Sequence, residues 1–251
     1  MKHFNKLMGH LSASVSNIIN SVSSSGPDFQ NGSRIVSSGD QCIRISDDGV
    51  QINGESITSA KTSSSVVSKD FPVTKFSKLE AGGSFDIQVV TGEHPQVQVT
   101  AEEHVIPHVL VKVSGDTLVL GLQGSVVFSK KLRVEITTAT LTGIDLSGAA
   151  TLVYDSVAGA SLNVDISGSA NIKLAGVVSA LTIDASGASN FKATKLQAAT
   201  VVVDASGASN VRVTAESSVS GKASGASSVE VAGRAVTRNI RTSGAASVDY
   251  D

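Results

Sequence analysis

The chain has 251 residues, 41% of them hydrophobic, with two Tyr, no Trp and a formal net charge of −2. That supplies a long core of Val, Ile, Leu and Ala, and gives no electrostatic reason to expect nucleic acid or an anionic membrane as partner. Cys42 stands alone, which excludes an intrachain disulfide and argues against a structural zinc site, and no apolar run reaches the length of a membrane span.

Phe4, Leu7, Met8, Leu11, Val15, Ile18, Ile19 and Val22 follow helical spacing among Ser, Asn and Lys. This predicts an amphipathic helix over 3–22, stopped by Ser23-Ser24-Ser25-Gly26-Pro27. Its apolar face (Leu7, Leu11, Val15, Ile18) is expected to pack on the body or on another copy. A degenerate signal peptide and a membrane-surface helix are the alternatives, because Lys2, His3 and Lys6 open the segment. Residues 28–40 read as a polar linker. Cys42 to Ser46 and Val50 to Asn53, around Asp47-Asp48-Gly49, read as a β-hairpin. A second linker passes through Thr62 to Ser65.

From Phe71 the pattern is continuous strand: Phe85 to Val89, Val97 to Val99, Val109 to Val113, Thr117 to Leu122 and Leu132 to Ile136. These are expected to form wider first coils of the body that follows. His94, His104 and His108 stand near Glu93, Glu102 and Glu103, a set that could in principle hold a transition metal. Pro107 breaks any helical register there, and solvated loop residues are the expectation.

The second half carries six copies of a Ser-Gly-small-small tetrapeptide. The serine–glycine pairs are Ser147 and Gly148, Ser167 and Gly168, Ser186 and Gly187, Ser206 and Gly207, Ser224 and Gly225, and Ser243 and Gly244. Successive glycines are 20, 19, 20, 18 and 19 residues apart. A period that short holds two or three strands and their bends, and marks a repeat in which each unit buries its apolar face on the next. Apolar residues alternate on both sides of the glycine, as in Ile183, Ala185, Phe191 and Ala193. The sequence therefore predicts an all-β protein, a parallel β-helix or β-solenoid with coils near 19 residues. The expected divisions are the helix at 1–27, linker and hairpin at 28–66, and the solenoid at 67–251.

Several stretches resemble the family of auto-transporter adhesins with a head GIN domain. They are Phe76, Gly83 to Val89, Val97 to Val99, Ile106-Pro107, Val111 to Val113, Asp116 to Leu118, Leu132 to Val134, and Leu141 to Gly148. The resemblance spans roughly residues 71 to 250. It implies a parallel β-helix-like body and a cell-envelope or secreted setting, although no convincing signal peptide is present. It implies no catalytic residues.

At the corners, glycine is expected in a positive-φ conformation, and the serine hydroxyls are expected to bond along the stack or to corner backbone. Thr151, Asn171, Asn190, Asn210, Ser228 and Ser247 form a further column in which stacked Asn side chains can bond one another. A serine nucleophile needs a base, and the last 143 residues contain neither His nor Cys. Three residues before the glycine stand Asp145, Asp165, Asp184 and Asp204, then Lys222 and Arg241. Five after it stand Val153, Lys173, Lys192 and Arg212, then Glu230 and Asp249. The two positions are opposite in sign in every coil where both are charged, which suggests pairwise neutralisation such as Asp184 with Lys192. A calcium ladder on the aspartates, or a surface that recognises a charged partner, are the alternatives.

The resulting expectation is a non-enzymatic scaffold without cofactor, adhesin-like in binding or self-assembling. Its partner would be itself or an unidentified surface. A polysaccharide-binding or polysaccharide-active β-helix is the alternative, weakened by the scarcity of aromatic platforms. Ile240, Val248 and Tyr250 in the last repeat are candidates for assembly.

Overall fold

The computed structural model describes residues 33–38, 41–46, 49–52, 55–57 and 65–251, apart from 125 and 127–129. The expected helix over 3–22 lies outside the described residues, and with it Leu7, Leu11, Val15 and Ile18. The chain divides into two units, Met1–Ser64 and Ser65–Asp251. In the first, β1 (Ser33–Ser38), β2 (Gln41–Ser46), β3 (Gly49–Ile52) and β4 (Glu55–Ile57) form a sheet in sequence order, each pair antiparallel. Ser46 lies opposite Gly49.

The second unit is a parallel β-solenoid. Its repeats comprise β12 (Gly143–Gly148), β13 (Thr151–Ile166), β14 (Asn171–Ala185), β15 (Asn190–Ala205), β16 (Asn210–Ala223), β17 (Ser228–Ala232), β18 (Thr237–Thr242) and β19 (Ser247–Tyr250). A Ser-Gly corner turns the chain through each coil, and register is kept from coil to coil. Asp145, Asp165, Asp184, Asp204, Lys222 and Arg241 are successive partners, as are Val153, Lys173, Lys192, Arg212, Glu230 and Asp249. The pairings of the long strands shift register along their length, between Tyr154 and Val157 in β13, between Lys173 and Ala175 in β14, and twice in β15, between Ala193 and Gln197 and between Ala198 and Thr200.

Alternation sends Ile144, Val164, Ile183 and Val203 inward before the corner, and Leu152, Ile172, Phe191 and Val211 inward after it, all buried. The column is filled by volume rather than by identity. Phe191 occupies a coil whose flanking inward residues are Ala185 and Ala193, where the first coil has Leu146 and Tyr154 around Leu152. Large beside small keeps the interior at native density.

The earlier strands depart from the expectation of successive wider coils. They are β5 (Val66–Phe71), β6 (Lys78–Gly83), β7 (Phe85–Thr91), β8 (Gln96–Glu102), β9 (Val109–Ser114), β10 (Thr117–Leu122) and β11 (Leu132–Thr138). The β6–β7 pair stacks directly on β12–β13, and the later β10–β11 pair stacks on its far side, all in parallel. Beyond that coil β9 closes on β10, β8 on β11 and β5 on β8, all antiparallel. The chain thus places its second coil outside its first, then returns to grow the repeats on the opposite side. Antiparallel strands finish the end beyond β10–β11, and alternation alone reads the same for either strand direction.

Candidate functional site

The corner is the most regular feature of the solenoid. Gly148, Gly168, Gly187, Gly207, Gly225 and Gly244 have φ between 70° and 81°. The residue after each glycine donates its N–H to the carbonyl of the glycine one coil earlier, at 2.7–2.9 Å. Backbones approach so closely that a Cβ on Gly187 would lie 2.5 Å from the Gly168 oxygen. The serine N–H groups of the later coils bond the carbonyl two residues before the previous glycine, as Ser206 does to Ala185 at 2.8 Å. Two serine hydroxyls follow the same direction, Ser206 to the Ala185 carbonyl at 3.5 Å and Ser224 to that of Ala205 at 3.4 Å. In the Asn column, Asn171 donates to the Ser169 carbonyl and Ser247 to the Ser228 hydroxyl. These groups close the corner.

The sheet face before the glycine carries the chemistry. Its outward residues Asp145, Asp165, Asp184 and Asp204 align through four adjacent coils, and Glu80 of β6 extends the line by pairing with Asp145. Neighbouring coils are about 4.8 Å apart, so five carboxylates share one strip. Partial burial holds Asp145, Asp165 and Asp184 above the ordinary value of 3.8. The next carboxylate adds to this: Glu80 for Asp145, Asp145 for Asp165, and both Asp165 and Asp204 for Asp184. Ionising one acid raises the cost of ionising its neighbour.

The strip borders an open depression of about 440 Å³. Lys78, Glu80, Asp145, Asp165 and Asp184 line it together with Thr117, Thr142, Asn163 and Thr182, and no aromatic ring does. Gly143 leaves room at the floor for the stem of Lys78, whose Cγ would lie 3.1 Å from a Cβ there. Lys78 itself turns to Asp116 at 3.3 Å, and its hydrogen bond holds that carboxyl below 3.8.

The expected pairing of the two charge columns is not what the geometry gives. Among the described residues no ion pair joins a residue three before the glycine to one five after it. The corner turns the two strands onto different faces, so their outward side chains diverge. The pair that does form, Arg212 with Glu230 at 2.8 Å, runs along one column between adjacent coils, at the point where the sign changes. Lys222 and Arg241 continue the pre-glycine column past Asp204.

The histidines do not converge either. His104 lies 3.7 Å from Glu102, and His108 Nδ1 lies 3.2 Å from the Gln123 carbonyl oxygen. Among the described residues no group of three or more His, Cys, Asp or Glu is placed to hold a metal ion. Sequence reasoning missed Glu80 because it stands 65 residues before Asp145, far outside the period. It also missed Gly221, where a Cβ would collide with the Val203 carbonyl oxygen, because that glycine breaks the column of Ile183 and Val203.

The fold has known counterparts. A putative adhesin from Bacteroides fragilis superposes with a TM-score of 0.62 at 21% identity, covering 75% of this chain and 98% of its own. A putative adhesin from Parabacteroides distasonis gives a TM-score of 0.45 at 18% identity, over 75% and 98% of the two chains. No curated protein matches the sequence. The model of the family described as "putative auto-transporter adhesin, head GIN domain" matches residues 75–235. That span runs from just before β6 to just past β17, more than half of the sequence, and the chain belongs to that family.

Proposed function

We propose that the solenoid is a non-enzymatic, adhesin-like binding scaffold whose pre-glycine face receives a cationic partner. The observation that supports this reading is the strip Glu80, Asp145, Asp165, Asp184 and Asp204, repeated coil by coil without a cation in ion-pair contact among the described residues. A rigid parallel sheet holds these carboxylates at fixed spacing, so a partner with regularly spaced ammonium or guanidinium groups meets several at once. Each contact is weak at an exposed site, and a row of them adds through preorganisation. The polysaccharide-active alternative would need ring platforms beside paired acids, and the depression has none.

The test uses a poly-lysine surface as probe. Replacing Asp145, Asp165, Asp184 and Asp204 by Asn should abolish most binding by the full chain. A variant with the same charge change elsewhere (Glu93→Gln, Glu135→Gln, Asp155→Asn, Glu216→Gln) should keep it. Equal loss in both variants, or release of reducing ends from a panel of polysaccharides, overturns the proposal.

A further inference from the structure

The last coil leaves both of its strands half-paired. β18 bonds only β16, and β19 bonds only β17, so their other edges have no strand partner among the described residues. The apolar positions of this coil are correspondingly uncovered. Tyr250 is 36% exposed, whereas Tyr154 at the same place in the first repeat is 1% exposed. Ile240 and Val248 are half-buried although their equivalents Val203 and Val211 are fully buried.

We propose that this edge pairs with the same edge of a second copy, related by a two-fold axis through the corner at Ala245. The free backbone groups fix which residues can face each other. Ser243, Ser247 and Asp251 donate their N–H groups to Ala223, Ser227 and Val231 of the previous coil. Strand alternation then turns the N–H and C=O of Ile240, Thr242, Val248 and Tyr250 outward. An antiparallel pairing of β18 with β19 of the other molecule uses these groups when Ile240 faces the partner's Tyr250 and Thr242 faces the partner's Val248. The same register sets Arg241 against the partner's Asp249, and by symmetry Asp249 against the partner's Arg241.

Charge selects this arrangement over its competitors. Pairing β18 with its own copy would crowd Arg238 and Arg241 of both molecules, and pairing β19 with its own copy would crowd the two Asp249 side chains. The opposite signs on the two sides of each corner, which form no ion pair within a coil, become complementary across such an axis. Ile240 meets the partner's Tyr250, the Thr242 methyl lies against the partner's Val248, and the contact is isologous, so it closes at two copies. This contact is independent of the partner taken by the acidic face.

The full chain at tens of micromolar should sediment at about twice 25.5 kDa. Arg241→Asp alone and Asp249→Arg alone should each weaken the dimer at least tenfold, and the two together should restore it. A monomer at that concentration, open-ended growth beyond two copies, or single reversals without effect would overturn the pairing. A second measurement avoids charge changes altogether. With Cys42→Ser in the background, Ala245→Cys places its thiol opposite the partner's Ala245 position and should cross-link on mild oxidation. The exposed Ala188→Cys of an inner corner should not. Equal cross-linking of both, or none at Ala245→Cys, also overturns it.

Discussion

Ser189 and Ser209 bury their hydroxyls at a position that Ala150 and Ala170 fill with methyl groups two coils earlier. Neither oxygen has a hydrogen-bond partner among the described protein atoms, whereas the equivalent Ser227 hydroxyl donates to the Ala205 carbonyl at 3.3 Å. An unmade buried hydrogen bond costs more than a made one returns. Ser189→Ala and Ser209→Ala should therefore each stabilise the protein by up to about 1 kcal/mol, while Ser227→Ala destabilises by a similar amount. Chemical denaturation reads both signs. The aspartate strip gives a second residue-scale expectation. Folding raises the carboxyl pKa values of Asp145, Asp165 and Asp184 above 3.8. The folded state then binds more protons than the unfolded chain, and stability falls as pH rises through the folded values. A variant with Asp145, Asp165 and Asp184 replaced by Asn should melt higher than the parent at neutral pH, and that advantage should disappear below 3.8, where both states hold the protons. A constant advantage across the titration would remove the electrostatic cause.

The corner is the element that sets the coil. Gly115 and Gly187 both have left-handed φ, 62° and 70°, but only Gly187 faces backbone where a Cβ would go. Gly115→Ala should cost about 1 kcal/mol for conformation alone, and Gly187→Ala at least about 2 kcal/mol more through displaced stacking. Equal losses by thermal melt would reduce the corner to local φ preference. This element was readable in the sequence because stacking demands a small residue at the same place in every coil. Period and alternation therefore carry the fold from Leu141 onward. The strands before it were not readable in the same way. β8 and β9 alternate as β12 does, and nothing local in Val97-Gln98-Val99 says that its neighbour runs antiparallel. The charge columns were visible, but their coupling was not: a period counts residues and does not say that a corner separates Asp184 from Lys192. Arg212 and Glu230, exposed by about two-fifths, bridge coils instead. Their double-mutant coupling should be below about 1 kcal/mol, as for other exposed pairs.

Across the whole molecule, stability is distributed as in a one-dimensional array, each coil leaning on two neighbours except at the ends. Phe191→Ala, in a coil covered on both sides, should cost about 3–5 kcal/mol. In the Arg241→Asp background, where the edge pairing is lost, Val248→Ala in the last coil should cost below about 1.5 kcal/mol, since its side chain is only half-removed from water in the single chain. Amide exchange in the same monomeric background adds the spatial pattern: the amides of β14 and β15 should outlast those of β18 and β19. Uniform protection along the stack would contradict an array and indicate one cooperative unit.

The out-of-order stacking of β10–β11 beyond β6–β7 makes the two ends of the solenoid unequal in history. One end is closed by strands drawn from distant parts of the chain and has a fixed composition. The other is extended by units that each need only the coil before them. Length is thus an adjustable quantity on one side alone. A duplicate of residues 188–207 inserted after Gly207 brings its own corner, core residues and aspartate, and should advance the far end by about 4.8 Å. The distance from the closed end to the last coil then becomes a graduated ruler, altered in whole coils with neither terminus redesigned.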